Sequence, residues 1–166
     1  MANESWLNKG SALTADGTGG ATVAWSMHGV TNGAGRVSAQ YDLGALPRGC
    51  IIEWACELQL QATPTQGKAV ELYIAEAPDE DSAMITGDPG TADAALGDVD
   101  MRRNMRGIGQ VVSENAAASE KCNAAGSFFA PRRYISFVGY NDTGATINAT
   151  AANFKFKFRV IYPQAQ

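Results

Sequence analysis

One histidine in 166 residues, His28, leaves little material for acid–base catalysis. A Ser-His-Asp triad would have to use it, and no Gly-x-Ser-x-Gly elbow accompanies it. It follows Trp25 and Met27 at what reads as a strand end beside Gly29, the place of a structural histidine. Cysteine is nearly as scarce: Cys50, Cys56 and Cys122 are an odd number without a CxxC pair. That usage argues against a disulfide framework and for reduced thiols in a protein folded in cytoplasm. Cys50 and Cys56 fall in or beside a core strand, whereas Cys122 reads as a more exposed loop residue. Zinc needs clustered His and Cys ligands, which these positions do not supply. The Gly-rich pieces GTGG and GDPG lack the lysine and following helix of a phosphate loop. No apolar run approaches the length that crosses a bilayer. MANESWLNKG has Glu4 and Asn8 where the apolar region of a secretory signal should begin, so the Asn-x-Ser/Thr sequons read as chance. Charged residues are 18% of the chain and the net charge is −4, which disfavours nucleic-acid binding through overall charge. Neither a catalytic residue, a metal ligand nor a cofactor site is expected.

What is abundant is the period-two strand. FKFKFRVIY, 154–162, sets Phe154, Phe156, Phe158, Val160 and Tyr162 on one side and Lys155, Lys157, Arg159 and Ile161 on the other. CIIEWACELQLQA, 50–62, sets Ile52, Trp54, Cys56, Leu58 and Leu60 against Glu53, Glu57, Gln59 and Gln61. Glu53 and Glu57 lie about 13 Å apart along such a strand, too far for a glycosidase pair. KAVELYIAEA, 68–77, follows the TPTQG turn with Val70, Leu72 and Ile74 inward, and the two segments are expected to form a hairpin. Further strands are read at 21–28, 36–43, 106–115 and 132–141, with AAASEKCNAAGS, 116–127, as a loop. About eight short strands and almost no helical periodicity point to an all-β antiparallel sandwich. Long irregular connections favour a jelly roll, with an immunoglobulin-like sandwich as the alternative. Trp54, Leu58, Leu60, Leu72, Ile74, Phe154, Phe156 and Phe158 are the expected core. Residues 1–20 lack either periodicity and read as an extended N-terminal arm before a sandwich domain at 21–166, with Trp6 and Leu7 as anchors.

The segment 78–105 breaks the pattern and reads as a long excursion from the sheet. Between Glu76 and Asp100 it carries acids and no bases, and Arg102, Arg103 and Arg106 follow at once. Such segregation orients association between copies or with a complementary surface, so these arginines join Trp6 and Leu7 as candidate partner-binding residues. The carboxylates of PDEDS, 78–82, and GDVD, 97–100, are the only candidates for calcium, but no EF-hand or nonapeptide pattern frames them. They read as a solvated loop.

The small-residue-rich arm MANESWLNKGSALTADGTGG, the pair CIIEWACELQLQA/KAVELYIAEA, the segment RRYISFVGYNDTG and the terminal NFKFKFRVIYPQ together resemble small virion proteins of tailed bacteriophages. The likeness is strongest to capsid decoration (cement) proteins of jelly-roll type, and it extends over most of the chain. It implies a non-enzymatic protein assembled in the host cytoplasm that ends on the capsid surface. The implied partners are the major capsid protein and further copies of the chain, a trimer ahead of a dimer, with no direct nucleic acid and no membrane. Two other functions stay open. One is a tail or baseplate structural protein. The other is a carbohydrate-binding β-sandwich using Trp25 or Tyr73 with Asn141 and Asp142.

Overall fold

The computed structural model describes residues 7–17, 21–44, 49–80, 85–87 and 89–163. It is an all-β sandwich of two sheets. Twelve strands are present among the described residues: β1 (Leu7–Lys9), β2 (Leu13–Asp16), β3 (Val23–Ala24), β4 (Gly35–Val37), β5 (Tyr41–Asp42), β6 (Cys50–Gln59), β7 (Ala69–Ala77), β8 (Ala94–Ala95), β9 (Arg106–Val112), β10 (Lys121–Ala130), β11 (Tyr134–Asn141) and β12 (Phe154–Pro163). The first sheet runs β10-β6-β12-β2-β3, with β1 also on β12; the second runs β8-β4-β11-β7-β9, with β5 also on β11. Every pairing is antiparallel except β2 with β3.

Alternation does the work in β6 and β12. Their registered partners Leu58–Phe154, Cys56–Phe156 and Trp54–Phe158 all face inward. Every residue of the expected core is buried. Phe156 sits at its centre, edge-on to Trp25 at 5.0 Å, stacked with Trp54 at 5.8 Å and tilted against Phe137 at 4.8 Å. Pairs in these arrangements add about 0.5–1.5 kcal/mol each beyond area burial. A second apolar cluster lies on the far side of the second sheet. There Val37, Ala75, Ala77, Tyr134 and Val138 meet Ile85, Leu96 and Met105, with Met101 packed against them. The excursion after β7 therefore folds back as a lid over the outer face of its own sheet, through β8 and a 3₁₀ turn at Val99–Asn104.

Several expectations need correction. The segments 50–62 and 68–77 are not a hairpin: among the described residues β6 pairs with β10 and β12, and β7 with β9 and β11. Their apolar faces oppose each other across the sandwich, and the connection between them changes sheet. The segment read as a loop at 116–127 contains the start of β10, and Cys122 in it is buried at 4% exposure. Small residues hide that strand, because alanine, glycine and serine carry almost no period-two contrast. Strand pairing also begins inside the segment read as an arm: β1 and β2 both lie against β12, and Ala15 is fully buried. Only three residues of β1 and four of β2 are in strand, too few to display alternation. The segments 21–28 and 36–43 contribute strand only at β3, and at β4 and β5.

Candidate docking surface

The reactive side chains are committed to structure. All three thiols are buried, and burial pushes Cys50 and Cys122 up to about 11, with the charges of Glu76 and Glu120 adding to the effect. Burial drives Cys56 higher still. Burial thus favours the neutral thiol over the nucleophilic thiolate at all three.

The fold does gather a serine, the histidine and an aspartate. The space a side chain at Gly17 would need is filled by the His28 ring, with Ser26 Oγ beside it. The bonding order is wrong for a triad. Ser26 Oγ donates directly to Asp93 Oδ2 at 2.6 Å, the Ser26 amide donates to the same carboxylate at 3.2 Å, and Arg36 Nε donates to Oδ1 at 2.8 Å. His28 Nδ1 has no partner among the described residues. In a triad the imidazole stands between serine and carboxylate and takes the serine proton. Here the carboxylate holds the hydroxyl itself and is neutralised by Arg36. Burial pushes Asp93 up, but the bonds from Ser26 and Arg36 outweigh it and hold the carboxyl below its ordinary value. The cluster is a clamp joining the lid to residues 26 and 36. Sequence patterning could not reveal it, because Asp93 lies 67 residues from Ser26.

Of the expected partner-binding residues, the three arginines make separate contacts. Arg102 is spent internally: its guanidinium lies 3.8 Å from the Tyr140 ring centroid, Nη1 donates to the Val99 carbonyl at 2.8 Å, and Nε is 3.5 Å from Glu71. Arg106 donates to Glu76 at 3.1 Å and stands over Phe128. Arg103 alone of the three is broadly exposed, at 75%, beside Asp100 at 3.4 Å. Leu7 opens β1, and Trp6 lies outside the described residues. The proposed sugar platform is not formed, because Trp25 and Asn141 are fully buried. The Asn141 amide donates to the carbonyls of Val30 and Ala145. Among the described residues no group of three or more His, Cys, Asp or Glu could hold a metal ion. Asp98 instead caps the 3₁₀ turn through the Asp100 amide at 2.8 Å.

The two broad faces of the sandwich differ sharply. The outer face of the second sheet is under the lid, whose rim carries exposed Asp79, Glu80, Asp98 and Asp100. The outer face of the first sheet presents alternate residues of β6, β10 and β12. Its ionisable groups are Glu53, Glu57, Lys121, Lys155, Lys157 and Arg159, four cations against two carboxylates. Lys155 donates to Glu57 at 3.0 Å, which with the charge of Lys155 lowers the Glu57 carboxyl. An open depression of about 250 Å³ is lined by Ala12, Ala55, Glu53, Lys157 and Arg159 together with Trp54 and Phe158. Phe129 and Ile51, registered partners on β10 and β6, are exposed at 50% and 38% on the same face. The first sheet thus presents an outer face on which cations outnumber carboxylates, with exposed Phe129 and Ile51 beside them, opposite a lid with exposed acidic residues. Compared with known protein families and with curated proteins, the chain matches none.

Proposed function

We propose that this is a non-enzymatic virion structural protein that binds the outside of a bacteriophage capsid as a decoration or cement protein, assembled in the host cytoplasm as a homo-oligomer. The observation that supports this reading is the unequal treatment of the two faces. The lid covers one sheet with apolar side chains from within the chain, while the first sheet's outer face carries its cations and its exposed Phe129 and Ile51 toward solvent. A shell-binding protein needs a rigid body with one adhesive face, and multivalent attachment turns modest contacts into tight binding. The strand order supports the jelly-roll reading of the sandwich as well. Numbering the eight principal strands in chain order, β2-β12-β6-β10 and β4-β11-β7-β9 place early and late strands side by side in both sheets, as two interlocked Greek keys do.

The test mixes the protein with undecorated capsids of tailed bacteriophages and sediments the particles. Co-sedimentation in stoichiometric amounts is expected, with loss of binding in Lys157→Glu, whose side chain is exposed on the cationic face. Failure of the wild-type protein to sediment with capsids, together with recovery of the protein on tails, would replace the capsid role by a tail role.

A further inference from the structure

We propose that β10 is a self-association edge: two copies pair antiparallel through Lys121–Phe129 about a two-fold axis at Ala125, joining their first sheets into one. The first sheet ends at β3 and β10 and the second at β8 and β9, with β9 lying near β10 without pairing to it. Edges invite pairing, and proteins blunt them by shortness, bulges, proline or charge. β3 and β8 are two residues long. β9 is interrupted where Gly107 and Gly109 both register on β7 and Ile108 is left over. Of these defences β10 has only a single charge at one end. It is ten residues long, pairs with β6 without a register shift, contains no proline and carries one charge, Lys121.

The hydrogen-bond phase says which groups are free. The Leu60 amide donates to the Glu120 carbonyl at 2.8 Å, and 60 and 120 continue the β6–β10 register. In an antiparallel ladder the bonded residues recur every second position. Even residues of β10 therefore bond β6, and Lys121, Asn123, Ala125, Ser127 and Phe129 turn their N–H and C=O groups to the open edge. All five are exposed, and no hydrogen-bond partner reaches those backbone groups among the described residues.

A second copy is the occupant this edge fits. With the axis at Ala125, odd residues oppose odd residues: Ser127 meets Asn123 and Phe129 meets Lys121. Every free donor then faces a free acceptor of equal spacing. The two Lys121 ammonium groups fall at opposite ends of the paired strands, each with its alkyl stem over the partner's exposed phenyl ring. Burial of Phe129, and of Ile51 beside it, adds an apolar contact at both ends of the seam. Isologous pairing of this kind closes as a dimer and leaves no further β10 edge. The inference does not rest on the capsid reading, since a dimer forms or fails to form without any particle.

Sedimentation equilibrium of the full chain tests it. The wild type is expected to show a monomer–dimer equilibrium across micromolar to submillimolar concentration. Ala125→Pro removes one outward N–H and no bond to β6, so it should yield a monomer with the wild-type circular dichroism and melting temperature. Ser127→Lys, which adds a cation on each side of the axis, should raise the dimer dissociation constant at least about tenfold. A nitroxide at Ala125→Cys should report the short inter-copy distance that the axis requires. If Ala125→Pro fails to fold, the Ser127→Lys shift decides. A monomer at every concentration, a trimer, or a dimer indifferent to Ser127→Lys and with the residue-125 labels far apart would each overturn the proposal.

Discussion

Replacing Asp93 should loosen the lid without touching the main core. The carboxylate accepts from the Ser26 hydroxyl, the Ser26 amide and the Arg36 guanidinium, and its side chain is 15% exposed against 29% for Arg36. A hydrogen bond to a charged group is worth about 1.5–3 kcal/mol net. Water can re-solvate part of the vacated site, so the contributions do not simply add. Asp93→Ala is expected to cost about 2–4 kcal/mol of unfolding free energy in urea, and Asp93→Asn, which keeps the shape and one acceptor, about 1–2 kcal/mol. Acid titration makes the test specific. The Asp93 carboxyl is held below its ordinary value in the folded state, so its contribution is present above the unfolded carboxylate pKa and is lost as pH falls through the folded one. The difference between wild type and Asp93→Asn should stay level from neutral pH to about 5 and shrink below about 4. A difference under about 0.5 kcal/mol at pH 7, or one that persists unchanged into strong acid, would refute the clamp.

Three further outcomes follow from packing. Phe156→Ala should cost about 3–5 kcal/mol in the same assay, because the ring is fully buried among Trp25, Trp54 and Phe137; a near-neutral result would mean the aromatic faces do not form the core. Gly109→Ala should cost about 1–3 kcal/mol and alter near-UV circular dichroism, since its Cβ would stand 2.5 Å from Cζ2 of Trp54 and a rigid indole has nowhere to move. Deleting residues 2–20 should lower the melting temperature, because the cut strips β1 and β2 from β12; an unchanged melting temperature would show those strands to be dispensable.

The long strands were legible in the sequence because their faces differ strongly. Phe154, Phe156 and Phe158 against Lys155, Lys157 and Arg159 leave one way to bury the segment, and the same holds for Ile52, Trp54 and Leu58 against Glu53 and Glu57. Partnership was not legible. Alternation states which side of a strand faces the core and says nothing about which strand lies beside it, so β6 and β7 looked like neighbours although the sandwich core separates them. β10 was missed for a different reason: KCNAAGSFFA offers small side chains on both faces, and its place is set by a free edge of β6. The surface reading met the same limit. A run of arginines in sequence, Arg102, Arg103 and Arg106, resolves into two internal contacts and one exposed cation, whereas the broad cationic face draws on strands far apart in the chain.

The position of β12 has a consequence for biosynthesis. Leu7 and Leu13 register on Pro163 and Phe158, so the earliest strands acquire their neighbour only after nearly all of the intervening chain has been made. At about 5–20 residues per second, a nascent chain holds β1 and β2 without β12 on the order of ten seconds, and β6 waits in the same way for both of its neighbours, β10 and β12. Contacts so distant in sequence also slow the search once synthesis has supplied every strand. During that interval Trp25, Ile52, Trp54 and Leu58 lack the wall of phenylalanines that covers them in the finished sandwich. Chaperones that shield exposed apolar segments therefore have a defined window in which to act, and aggregation during overproduction should be most severe for chains halted before Phe154.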